Sequence, residues 1–269
     1  MGLGFDGCST MVGKENGVQK LITDQCPRVT FFHYSTHRLN LVINDLNSVN
    51  EIRNCVGVIK EIINFFRDSP RRRSLVPNIP LFSKTRTVKY KSICLFFGNF
   101  VDIKSVLDDL TTNRDFSQTS RTKADQPSCS SSTPKFIICL YSIAKYSAQL
   151  EPVTNSLQGK SVNLLDVQKH IQNLLQIFEN NRKDANECFR SIFTRSVEIA
   201  DEFRREIEQP RISRRQINRP NIQTATAEEY FRISFFIPYM NFLISSLNLP
   251  DSLKIQEQPF RYRVYTLNI

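Results

Sequence analysis

Tryptophan is absent from this chain, histidine occurs three times, and none of the seven cysteines stands in a CxxC pair. The thiols (Cys8, Cys26, Cys55, Cys94, Cys129, Cys139 and Cys188) are scattered and odd in number. They do not form a disulfide framework and read as reduced intracellular thiols. His33, His37 and His170 leave little material for imidazole chemistry. Cys26, His33 and His37 lie close in sequence, but a zinc centre takes four ligands and a fourth is missing, so a structural histidine pair is the expectation. No Gly-x-Ser-x-Gly elbow occurs and no cysteine has a His and carboxylate partner in view, which removes the usual serine and cysteine nucleophiles. Long apolar runs are missing too. The stretch from Tyr230 to Leu247 is broken by Asn, Ser and Pro238, and MGLGFDGCSTMVGKENG at the start has no apolar core of signal-peptide length. Neither a membrane span nor a secretion signal is expected, and there is no internal repeat.

One formal motif fails on context. Gly2, Gly4 and Gly7 spell the dinucleotide fingerprint G-L-G-F-D-G, but no strand precedes it and no acid follows a second strand to hold a ribose. No cofactor, small-molecule substrate or metal site is expected from these residues.

What is present is an ordinary globular balance, 40% hydrophobic and 23% charged, with a basic excess: 36 Lys and Arg against 26 Asp and Glu, a formal charge of +10. Such a surplus favours an acidic partner, nucleic acid through its phosphates above all, although a merely basic surface gives the same number. The excess is concentrated in two runs. Arg71, Arg72 and Arg73 follow Pro70, and Arg211, Arg214, Arg215 and Arg219 are threaded through EQPRISRRQINRPN. Arginine forks bind phosphate oxygens bidentately, so both runs are candidate nucleic-acid contacts; a solvated loop is the bland alternative.

Hydrophobic spacing divides the chain. Residues 1–45 read as mixed α/β: a short segment over Met1–Asp6 that ends in a Gly-bounded turn, a short helix over Gly13–Ile22 and a buried strand over Val29–Tyr34, VTFFHY. Everything after that reads as helix. Leu39, Val42, Ile43 and Leu46 begin a stripe that Ile52, Val56, Ile59, Ile63 and Phe66 continue up to Pro70, and Ile93 to Leu110 forms a second long amphipathic face. Further helices are expected over Phe136–Leu150, Leu164–Phe178, Phe189–Ile207 and Ala227–Leu247, the last one capped by Thr226 with Glu228 and Glu229 behind it. Residues 111–134 are nearly free of aliphatics and rich in Ser and Thr, so a flexible linker is expected there, splitting the helical part into 46–110 and 135–269. Twenty Phe without Trp point to aromatic packing between helices.

Four segments taken together resemble the hAT transposase superfamily, in the branch with MYM-type and TTF-type zinc-finger transposon-derived proteins. They are GFDGCSTMVGKENGVQKLI from Gly4, FFHYSTHRLNLVIND from Phe31, KTRTVKYKSI from Lys84, and PRISRRQINRPNIQTATAEEYFRISFFIPYMNFLISSL from Pro210. Their order and spacing also match, across nearly the whole chain. The resemblance implies a mainly α protein in which a small α/β part of an RNase H-like core, residues 1–45, is followed by a large helical insertion. It also implies three acids holding two Mg²⁺ ions for strand cleavage and joining, with Asp6 as the second acid. The first and third fall to segments outside Met1–Ile269. The chain departs from the branch at Tyr34, where Cys is common, and at Thr87, where Trp is common. These features imply a nuclear, DNA-binding, transposable-element-derived protein that does not cut DNA by itself. The alternatives are a helical protein-interaction module, which includes self-association, and one part of an active transposase whose other acids lie elsewhere.

Overall fold

The computed structural model describes residues 2–5, 17–26, 30–33, 49–76, 90–157, 164–210 and 222–248. It begins with strand β1 (Gly2–Phe5), helix α1 (Val18–Gln25) and strand β2 (Thr30–His33). The strands pair in parallel, Gly2 with Thr30 through Phe5 with His33, so the intervening helix belongs to a crossover connection. Strand β2 falls within the β-branched and aromatic stretch VTFFHY; α1 starts later than the expected Gly13.

The rest is helical: α2 (Asn50–Arg67), α3 (Pro70–Arg73), α4 (Tyr90–Gly98), α5 (Phe100–Thr112), α6 (Gln118–Ser131), α7 (Pro134–Leu157), α8 (Leu164–Lys183), α9 (Ala185–Glu202), α10 (Ala227–Phe231) and α11 (Ile237–Leu247), the last two joined by a π-helical turn, Arg232–Phe236. The mainly α expectation is met. The stripe Ile52, Val56, Ile59, Ile63 and Phe66 is buried on α2 as its spacing requires. The face from Ile93 to Leu110 is carried by two helices rather than one, because the chain breaks at Asn99, whose backbone leaves the helical region.

Helix α7 is the axis of the bundle and packs against α4, α9, α2 and α8. Its Tyr146 is fully buried and meets Phe178 of α8, Phe236 of the π turn and Tyr239 of α11 at ring-centroid distances of 5.4, 6.3 and 5.7 Å. Such aromatic contacts add about 0.5–1.5 kcal/mol each beyond area burial. The π turn sets the register: it puts Phe231 and Phe236 five positions apart on one face, and both are buried. Tyr239, Met240, Leu243 and Leu247 then continue the same apolar face. At the head of this segment Thr226 Oγ1 accepts from the Glu229 N–H (3.2 Å), and a Glu229 carboxylate oxygen accepts from the Ala225 N–H (3.0 Å), the cap its sequence announced.

Residues 111–134 are where the sequence misleads. The expected flexible linker instead holds α6, and the helical part is not split: one apolar cluster runs from Ile52 to Leu247 and includes Phe116 and Ala124. Small side chains do the packing that aliphatics do elsewhere, with Ala124, Pro127, Ser128 and Ser131 buried. Their hydroxyls are satisfied locally. Ser117 Oγ accepts from the Ser120 N–H at the cap, and Ser131 and Ser132 donate to the Ser128 carbonyl at 3.0 and 2.8 Å.

Helix α9 ends at Glu202, short of the expected Ile207. Arg204 adopts φ 54°, the left-handed conformation, while the Arg205 N–H bonds to the Ala200 carbonyl and the Arg204 N–H to the Asp201 carbonyl. This is a Schellman terminus with arginine in the position that glycine usually takes. No helix among the described residues is long and apolar enough to cross a membrane. The six described cysteines are unbridged.

Candidate nucleic-acid interface

The first arginine run sits where α2 turns into α3. Asp68 ends α2, Ser69 leaves the helical region, and its Oγ accepts from the Arg72 N–H (3.4 Å) while Pro70 takes the first helical position, where its missing N–H costs nothing. The turn fixes all three side chains. Arg72 reaches back so that its Nε–H donates to the Phe65 carbonyl (2.7 Å), and its guanidinium carbon lies 4.4 Å from the Phe65 ring centroid. That carbonyl is one of the last four of α2, which lack helical partners, and a cation there also suits the negative end of the helix. Arg71 lies 4.5 Å over the ring of Phe116, in the connection between α5 and α6. Arg73 donates to the Val76 carbonyl (2.9 Å).

Arg71 is exposed and Arg72 partly so. Among the described residues neither is paired with a carboxylate. Two cations are therefore held on aromatic shelves with outer N–H groups available to an anion. Sequence reading identified the arginines but not the shelves. The available signal was Phe116, the one aromatic residue in a polar stretch.

The second run lies outside the described residues, so Arg211, Arg214, Arg215 and Arg219 have no described geometry. On either side of it, Gln209 donates to Thr224 Oγ1 at 2.9 Å. Asp6 also lies outside the described residues, one position past the end of β1, as do His37 and Cys8. His33 is the last residue of β2, and Cys26 is exposed at the end of α1, so His33 and His37 do not share a helix.

A second charged cluster is internal. The Lys104 ammonium, with its side chain 3% exposed, contacts the Asp108 carboxylate, lies 3.2 Å from Ser128 Oγ and sits 5.7 Å from the Phe203 ring centroid. Ser128 also donates to Asp108. Ser128 gives its hydroxyl proton to Asp108 and accepts from Lys104, so this contact pins α6 to α5 and is no nucleophile–base pair. The buried thiols are equally inert: burial pushes Cys55 and Cys139 far above the ordinary thiol range.

Among the described residues no set of carboxylates is placed to hold the paired magnesium ions that the resemblance implies, and Asp6 itself lies outside them. Two divalent cations need several converging carboxylates, whereas the resemblance assigns one, Asp6, to this stretch. Among the described residues no three His, Cys, Asp or Glu side chains gather into a group able to hold a metal. No family model, no curated protein and no solved structure matches this chain.

Proposed function

We propose that this chain is a hAT transposase-like protein, truncated or domesticated, that binds DNA through its basic surface and does not cut it by itself, acting in the nucleus. The observation that carries the reading is the order of the parts. The GFDGCSTMVGKENG segment opens on a strand that pairs in parallel with the strand of FFHYSTHRLN, and a long helical body follows, the layout the resemblance implies for a portion of an RNase H-like core interrupted by helices. Support for DNA as partner is the formal charge of +10 and the fixed, carboxylate-free Arg71 and Arg72.

A salt titration tests this reading. Phosphate contacts release counterions, so the affinity of the full chain for duplex DNA falls steeply and linearly on a log–log plot as salt rises. A chain that binds no DNA even at low salt is instead the helical interaction module, whose apolar contacts do not weaken in this way.

A further inference from the structure

We propose that Arg71 and Arg72 form a preorganised, sequence-independent clamp for the phosphodiester backbone of DNA, with Phe116 and Phe65 as the positioning residues that hold it. The proposal rests on the DNA-binding reading above and adds to it a site and a mechanism.

The argument starts from entropy. A free arginine side chain carries about 2 kcal/mol of rotamer freedom, much of which is lost when it grips a ligand. Here that freedom is already restricted: Arg71 is seated 4.5 Å over Phe116, and Arg72 is seated 4.4 Å over Phe65 with its Nε–H committed to the Phe65 carbonyl. Stacking uses the face of a guanidinium and leaves its edge, where the N–H groups point. Arg72 keeps its terminal amino groups for a ligand, and the Arg71 side chain donates to no acceptor among the described residues. Asp68 and Asp115 are the neighbouring acids in sequence, and neither neutralises the pair.

The chemistry favours phosphate. A guanidinium edge matches two oxygens of a phosphodiester, and two adjacent cations suit a polyanion whose charges recur along a backbone. Phosphate contacts of this kind fix position and carry no sequence information, so the clamp is assigned to backbone positioning. Phe116 belongs to the connection between α5 and α6, so the clamp is assembled only when α6 is packed.

The test is fluorescence anisotropy of the full chain with a labelled mixed-sequence DNA duplex over a salt series. Variants are R71Q/R72Q, R71K, Phe116→Leu, and R53Q as a control arginine on the exposed side of α2, each checked for unchanged helical circular dichroism. R71Q/R72Q lowers affinity and flattens the log–log salt slope by about 2, one for each phosphate-paired cation. R71K and Phe116→Leu keep the charge count, so the slope stays and affinity falls about two- to fivefold through the lost stack. An R71Q/R72Q slope equal to that of the parent, or an R53Q slope reduced by as much as one of the two clamp arginines contributes, overturns the clamp and leaves the DNA-binding reading standing. No DNA binding by the parent chain overturns both. If a poly-glutamate peptide binds in an R71-dependent way and DNA does not, the site takes carboxylates and the proposal fails. R71K and Phe116→Leu indistinguishable from the parent would reject the shelves as positioning devices.

Discussion

Asp108 matters more to stability than Lys104, although Lys104 is the buried member of the pair. Removing the carboxylate in Asp108→Ala strands an ammonium that is 97% shielded, with Ser128 Oγ and the Phe203 ring as its remaining company. Breaking a fully buried pair from one side costs about 3–5 kcal/mol, whereas exposed pairs are worth about 0.2–1 kcal/mol. Asp108 is 48% exposed, so the expected cost lies between those limits, at about 2 kcal/mol. Lys104→Met removes the charge, keeps the apolar stem and leaves behind a hydrated carboxylate that Ser128 still serves; its expected effect is within about 1 kcal/mol of zero. In Lys104→Met/Asp108→Ala no buried charge remains, so the double variant recovers most of what Asp108→Ala loses. Urea unfolding followed by far-ultraviolet circular dichroism gives all three values and their coupling. A Lys104→Met cost equal to or above that of Asp108→Ala would show that the ammonium is not desolvated and that α6 is not seated on α5 as described.

Two further predictions follow from backbone and burial. Arg204 sits at φ 54° in the Schellman terminus of α9, so Arg204→Gly relieves the left-handed penalty and stabilises the chain by about 0.5–1 kcal/mol in the same unfolding assay; destabilisation would mean that the arginine side chain contributes more than its backbone costs. Cys55 and Cys139 have their thiols pushed up by burial, so the native state retains protons that the unfolded chain releases near pH 8.5. Their contribution is fully present below that pH and is lost as pH rises above it, at about 1.4 kcal/mol per pH unit for each thiol. The fall in stability between about pH 8.5 and 10 should be shallower in Cys55→Ala, with Cys139 and the likewise raised Cys94 and Cys188 carrying the remainder, and an unchanged slope would place the Cys55 thiol in contact with water.

The helices that pack with aliphatic and aromatic side chains were legible because burial leaves a period. On α2, Ile52, Val56, Ile59, Ile63 and Phe66 mark one stripe, and on α8 and α9 Phe178, Phe189 and Ile192 do the same. Helix α6 was not legible, since Ala124, Ser128 and Ser131 pack through smallness and local hydroxyl bonding, properties that composition shares with disorder. The break at Asn99 and the π turn at Arg232–Phe236 are register adjustments made by tertiary packing; sequence spacing alone reads through both. At the candidate interface the arginines were visible as charge. Their shelves were not: Phe65 is only seven positions before Arg72 but marks the core stripe of α2, and Phe116 meets Arg71 through the tertiary fold.

The most direct test of the proposed DNA binding without cleavage is to incubate the full chain with supercoiled plasmid and Mg²⁺ at a salt concentration where binding is saturated, then separate the plasmid forms on an agarose gel. Retained plasmid that stays supercoiled is the expected result. Nicked or linear product that appears with Mg²⁺ and vanishes in Asp6→Ala would contradict it, because it would require further carboxylates converging on the same metal ions.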